Sequence, residues 1–154
     1  ATTASITLIV GASGLLAWIL AREQVPQQVA DGLLGLTDNP LVFLLLVNVL
    51  MILLGAVLEG ISVLVIAVPI LLPIAAEFGV DPVHFGVIII MNLMIGLLTP
   101  PIGAVLYVMS PVARMPVHEV FRGTLPFLIP LLVVLLLVTF VPATVTFLPR
   151  LLGL

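Results

Sequence analysis

The chain has 154 residues, 63% of them hydrophobic and only 7% charged, with a mean hydropathy of +1.50. No ordinary soluble domain carries that composition, so the sequence reads as an integral membrane protein, and its apolar runs are helix-length rather than the alternating strands of a membrane barrel. Four arginines, no lysine and seven acids give a net charge of −3, which argues against a nucleic-acid partner or a polybasic lipid anchor, and the absence of cysteine excludes disulfides and thiolate chemistry.

Residues 1–22 read as a transmembrane helix. Ala4 to Ala21 is apolar and ends at Arg22-Glu23. Its length is about 27 Å, nearly a full span. Trp18 sits near the charged end, where an interfacial aromatic belongs, and Gly11, Ala12, Ser13 and Gly14 offer a small-residue face for close packing. The chain starts at Ala1 without a basic leader, so it reads as a piece of a longer protein. Residues 23–39 are the most polar stretch. Val29, Leu33 and Leu36 share a face opposite Gln28 and Asp31, which fits an amphipathic arm helix on the membrane surface or a helical linker in water.

Residues 40–77 form a pair of apolar runs. Leu41–Leu58 is apolar apart from Asn48, and Ile61–Ala76 follows after only Glu59-Gly60. That spacing fits a re-entrant hairpin bent by Pro69 and Pro73, or a tight pair of full spans with Glu59 at the headgroups. Residues 78–113 read as a broken transmembrane helix. Gly79 closes the preceding helix, Asp81 caps the next and Pro82 takes its first position. Helices over Pro82–Leu98 and Pro101–Ala113 would together reach about 45 Å if straight, against a hydrocarbon core of about 30 Å, so one bent crossing is expected. Residues 114–123, with Arg114, His118, Glu119 and Arg122, are an interfacial link. Residues 124–154 are a C-terminal transmembrane helix kinked at Pro126, Pro130 and Pro142. Arginines divide two against two between the sides; the pair on the short 114–123 link assigns that side to the cytoplasm.

The break itself is Gly96-Leu97-Leu98-Thr99-Pro100-Pro101-Ile102-Gly103. Two prolines remove the N–H groups that would bond the carbonyls of Gly96 and Leu97. In hydrocarbon such carbonyls cost several kcal/mol each, by order of magnitude, so a broken helix is tolerated where it lines a cavity. Asn92, Gly96, Thr99 and Gly103 fall on one face at spacings of four, three and four. They offer an amide oxygen, a freed carbonyl and a hydroxyl, the oxygen ligands a Na⁺ ion takes. Thr99 also suits a plain N-cap of a helix begun by Pro100. Asn48, Ile52, Gly55 and Glu59 repeat the same spacing on the first run. Glu59 is the only acid between Leu41 and Ala76. An acid within a membrane is costly, so it reads as a cation or proton site, or as an interfacial turn residue. New helix N-termini are expected at Gly60-Ile61-Ser62 and at Pro100-Pro101-Ile102, where partial positive charge favours an anion. His84 reads as interfacial, and His118 and Arg114 as surface groups. No catalytic Ser/Lys, Asp/Asp or His–metal set is visible, so no enzyme is expected.

Four ordered segments carry a family resemblance. They are Asn48 with Gly55-Ala56-Val57-Leu58-Glu59-Gly60, then Pro69-Ile70-Leu71-Leu72-Pro73, then Gly79-Val80-Asp81-Pro82-Val83-His84-Phe85-Gly86, and the break motif. Together they resemble the C-terminal part of the large membrane subunit of tripartite ATP-independent periplasmic (TRAP) transporters. The resemblance implies an all-α integral membrane fold of the inverted-repeat elevator type. This chain would be the second repeat, with its re-entrant hairpin and broken helix. It implies Na⁺-coupled import of a carboxylate-bearing organic acid across the bacterial inner membrane. The Na⁺ site would draw on Glu59, Gly96, Thr99 and Gly103. Gly60, Ser62, Asn92, Pro100 and Pro101 would face the substrate. The implied partners are the N-terminal remainder of the large subunit, a small membrane subunit, a periplasmic solute-binding protein and the lipid bilayer. Two alternatives stay open: a divalent-anion/Na⁺ symporter that needs no binding protein, and a non-transporting membrane scaffold.

Overall fold

The computed structural model describes residues 39–152, together with 15, 18, 19, 22–24, 28, 31, 32, 35 and 37. Most of the expected spanning helix at 1–22 and about half of the expected arm helix at 23–39 therefore lie outside the described residues. Among the described residues the chain is helical: α1 (Pro40–Val57), α2 (Gly60–Glu77), α3 (Pro82–Leu97), α4 (Ala104–Ala113), α5 (Val117–Phe140) and α6 (Ala143–Leu151). Three of these, α1, α2 and α5, are long and apolar enough to cross a membrane.

Local chemistry sets the helix ends. Asn39 Oδ1 accepts the Leu41 N–H at 2.9 Å and Pro40 takes the first position of α1. Glu59 caps α2. Gly79, at φ 73°, closes α2 in the left-handed conformation that an L side chain resists, and the Val80 N–H returns to the Ala75 carbonyl at 3.0 Å. Asp81 Oδ1 accepts from Val83 at 2.9 Å and from His84 at 3.2 Å to start α3.

α1 and α3 lie side by side and run in the same direction, with Phe43 beside Phe85 near their starts and Gly55 against Gly96 near their ends. α2 returns along this pair, its Phe78 ring stacked on Phe43 at 4.6 Å. It contributes Val63, Ala67, Leu71 and Ala75, one side chain per turn, to a core with Val47, Met51, Ile88, Ile89 and Leu93. α5 runs back along α3, where Leu128 and Leu135 pack on Ile95. Outward side chains are large and apolar. Ile61, Val65 and Phe127 are each 70% exposed, a surface suited to hydrocarbon rather than water.

Three differences from the sequence reading have plain causes. The polar link expected over 114–123 shrinks to the turn Arg114–Pro116, because Pro116 caps α5 and the polar residues from His118 to Arg122 ride on its first turns. The C-terminal helix expected over 124–154 is two helices, because Pro142 has no N–H with which to continue α5. His84, expected at the interface with no packing role, is buried in the helix pack at 2% exposure, with Nε2 at 2.7 Å from the Val138 carbonyl. That carbonyl would ordinarily accept from residue 142. Pro142 leaves it unpaired, and the His84 Nε2–H donates in its place.

The α1–α3 crossing leaves no room for a side chain at Gly96. A Cβ there would stand 2.7 Å from the Ile52 carbonyl oxygen and 2.8 Å from the Gly55 backbone. Gly86, on the same helix, has nothing within 4 Å of that position. Gly96→Ala should therefore destabilise the assembled protein by about 1–3 kcal/mol, as over-packing does. Gly86→Ala should be neutral or stabilising by up to about 1 kcal/mol, from helix propensity. Thermal unfolding of the two purified variants in detergent checks the contrast.

Candidate ion and substrate site at the hairpin tip and helix break

The tip of the α1–α2 hairpin and the break between α3 and α4 meet at one backbone carbonyl. α1 ends at Val57, and the Ala56 oxygen accepts from two N–H groups of the break, Ile102 at 3.1 Å and Gly103 at 3.0 Å. The close approach of Gly55 and Gly96 brings that carbonyl within reach. Gly60 opens α2 at the tip, with only the Leu97 Cδ1 at 3.7 Å from the place its Cβ would take.

The break is tighter than the proline argument expects. Pro100 does remove the usual partner of the Gly96 carbonyl, but the Thr99 N–H takes it at 2.9 Å, while the Leu98 N–H bonds the Ile95 carbonyl at 3.1 Å. The helix thus ends by narrowing to i→i+3 bonds. Thr99 caps no helix. Its hydroxyl donates to the Ile95 carbonyl at 2.7 Å, and α4 starts only at Ala104. The helix N-terminus expected at Pro100-Pro101-Ile102 is therefore displaced. Gly103 holds the N-cap position at φ 51°, a left-handed turn that lets the chain leave the Pro100-Pro101 corner and enter α4. Pro100 and Pro101 are exposed, joined by a cis peptide bond. With Ile102, Leu106, Val117, His118 and Phe121 they line an open cleft of about 390 Å³.

Glu59 is committed to the tip. Oε1 accepts the Ile61 N–H at 2.9 Å. Oε2 accepts the Ser62 N–H at 3.0 Å and the Ser62 hydroxyl at 3.3 Å. The carboxylate satisfies the free donors at the start of α2 and matches the positive end of its dipole. An incoming anion would meet these donors already filled. Oε1 keeps a lone pair beyond its cap bond.

A second polar group lies within the helix pack. Asn92, fully buried, donates through Nδ2 to Asn48 Oδ1 at 2.7 Å and to the Ile88 carbonyl at 2.8 Å. Asn48 Nδ2 donates to the Thr139 hydroxyl at 2.9 Å, and that hydroxyl donates to the Leu135 carbonyl at 2.7 Å. The structure thus joins Glu59 with Gly60 and Ser62 at the tip, and Gly96, Thr99 and Gly103 at the break. Asn92 lies one turn earlier on α3. The sequence reading missed Ala56, which acts through its backbone and so leaves no side-chain trace. It also missed Thr139, whose only signal is the one hydroxyl between Leu125 and Val141.

Capping by Glu59 has a direct consequence. Glu59→Ala should cost about 1 kcal/mol, the usual value of an N-cap, with Glu59→Gln intermediate because one amide oxygen still accepts. Hydrogen–deuterium exchange of the segment 60–64 should rise from wild type through Glu59→Gln to Glu59→Ala, leaving α3 unchanged.

Comparison with known proteins gives a consistent picture. Residues 1–144 match the family described as tripartite ATP-independent periplasmic transporter, DctM component. The chain is 51% identical over 150 residues to the sialic acid TRAP transporter large permease protein SiaM of Vibrio cholerae, covering 97% of this chain and 35% of that protein. It is 43% identical over 134 residues to the sialic acid TRAP transporter permease protein SiaT of Haemophilus influenzae, covering 87% of this chain and 22% of that one. It is 41% identical over 151 residues to the C4-dicarboxylate TRAP transporter large permease protein DctM of Pseudomonas aeruginosa, covering 98% and 35%. The chain thus spans about a third or less of the length of these relatives.

Proposed function

The chain belongs to the DctM family of tripartite ATP-independent periplasmic transporters, and from that premise we propose that it forms part of the transport domain of a Na⁺-coupled importer of a carboxylate-bearing organic acid. It is a helical, multi-pass membrane protein. In the proposed complex it works with the remainder of the large subunit, a small membrane subunit and a periplasmic solute-binding protein, in the bacterial inner membrane.

The observation that carries this reading is the junction at Ala56, where hairpin tip and helix break share a carbonyl. Two interrupted elements meeting within an apolar pack are the kind of feature that transporters use for ions and substrates at membrane depth. We assign the Na⁺ site to the oxygens around this junction, from Glu59, Gly96, Thr99 and Gly103. Gly60, Ser62, Pro100 and Pro101 border the substrate on this side, Asn92 lies buried in the helix pack with its amide hydrogens spent, and the rest of the cavity comes from the remainder of the large subunit. The relatives named for sialic acid and for C4-dicarboxylates support the acid class. A cation bound at the junction stiffens the tip and break together and lowers the cost of placing an anion beside them. Na⁺ and substrate then raise each other's affinity by the same factor. The loaded unit slides across the membrane against a fixed scaffold.

Uptake by the full complex in proteoliposomes tests the coupling. Uptake should require an inward Na⁺ gradient and should weaken in Glu59→Gln. Uptake equally fast without the gradient would remove the coupling claim.

A further inference from the structure

Asn92 carries an amide that is only half used. Nδ2 has two hydrogens, and both are spent, on Asn48 Oδ1 at 2.7 Å and on the Ile88 carbonyl at 2.8 Å. Oδ1 has no hydrogen-bond partner. Among the described residues it is the one buried side-chain polar atom left in that state. Buried acceptors without a donor are rare, and each asks for a cause.

The orientation of this amide is forced from outside. Turning it over would set its oxygen against two other oxygens, those of Asn48 and Ile88. Asn48 is itself held in one orientation. Its Nδ2 donates to the Thr139 hydroxyl at 2.9 Å, whose own proton goes to the Leu135 carbonyl at 2.7 Å. With that hydroxyl accepting, the order of donors and acceptors runs from α5 through α1 to α3, and the Ile88 carbonyl, which can only accept, anchors its Asn92 end. All three side chains are at most 4% exposed, so water does not relax it.

We infer that Asn48 is a positioning residue: together with the Ile88 carbonyl it fixes the Asn92 amide so that an oxygen, not an NH₂ group, is left free one turn before the break. A site prepared in this way accepts a cation or a hydrogen-bond donor and disfavours a carboxylate. The inference rests on the Na⁺-coupled reading. It deepens that reading by giving Asn92 Oδ1 to the coupling cation and not to the substrate's acid group. Asn48 touches neither ligand and acts through Asn92.

The test is uptake by the full complex in proteoliposomes, reading the Na⁺ concentration for half-maximal rate and the substrate KM at saturating Na⁺. Asn48→Leu, which has no acceptor for Asn92 Nδ2, should raise the Na⁺ requirement about tenfold, the order expected for one lost hydrogen bond. Substrate KM should stay within about twofold of wild type, a change too small to signal a lost contact. Asn48→Ser, too short to reach Asn92, should give the same shift and serves if the leucine variant does not assemble. Asn48→Asp keeps an acceptor oxygen and should restore most of the Na⁺ affinity. Thr139→Val removes the hydroxyl that holds Asn48 in its orientation and should raise the Na⁺ requirement in the same direction, by less than Asn48→Leu. A purely structural role would lower the maximal rate with the amount of folded complex and leave both constants unchanged; that result overturns the inference while the coupled reading stands. Wild-type uptake that ignores Na⁺ overturns both.

Discussion

The close approach of α1 and α3 at Gly55 and Gly96 is the constraint on which the rest of the site depends. Two helix backbones touch there with no side chain between them. Only that contact lets the Ala56 carbonyl accept from Ile102 and Gly103. Once it does, the corner at Pro100-Pro101 is anchored to the end of α1, and the hairpin tip stands level with the helix break. A helix rotated by one residue, about 100°, would present a side chain where Gly55 now lies, and the junction would open.

Apolar contacts alone give little preference for one helix neighbour over another when the surroundings are apolar too. The polar groups inside this pack therefore carry more of the specificity than their number suggests. Asn48 links α1 to both α3 and α5, and His84 links α3 to the end of α5. Helix α2 differs from these. Its hydrogen bonds among the described residues stay within the helix and its caps, and it meets the core through Val63, Ala67, Leu71 and Ala75. The hairpin is thus lopsided: one arm is bonded to its neighbours and the other only packs on them.

Much of the architecture was legible because the chain punctuates itself. Asn39-Pro40, Gly79 and Asp81-Pro82 each occupy the cap or turn position that their chemistry favours. The double proline announced an interruption, and the two asparagines at helical spacing from the glycines announced a polar face. What stayed hidden was pairing at a distance. Nothing in the run from Thr124 to Leu148 says that Thr139 meets Asn48, 91 residues away in sequence. The fate of the freed carbonyls was equally hidden. Proline tells which acceptor loses its donor, but only the packed structure tells that Thr99 serves Gly96 and that His84 serves Val138. Glu59 was visible as an anomaly. Its cap role follows from the two-residue link, yet the same link suited an exposed turn.

The pairing of His84 with the carbonyl released by Pro142 ties two distant positions into a single choice. With proline at 142, a buried donor at 84 is required, and an aliphatic residue there would strand an acceptor in an apolar interior. With a residue that carries a backbone N–H at 142, α5 would regain its own bond, and the carbonyl's second lone pair would still take the histidine. The two exchanges are therefore unequal: losing the histidine is costly only while proline stands at 142. The bend between α5 and α6 makes position 84 dependent on position 142, and a reshaped end of the molecule has to restore the N–H at 142 before it can release the histidine.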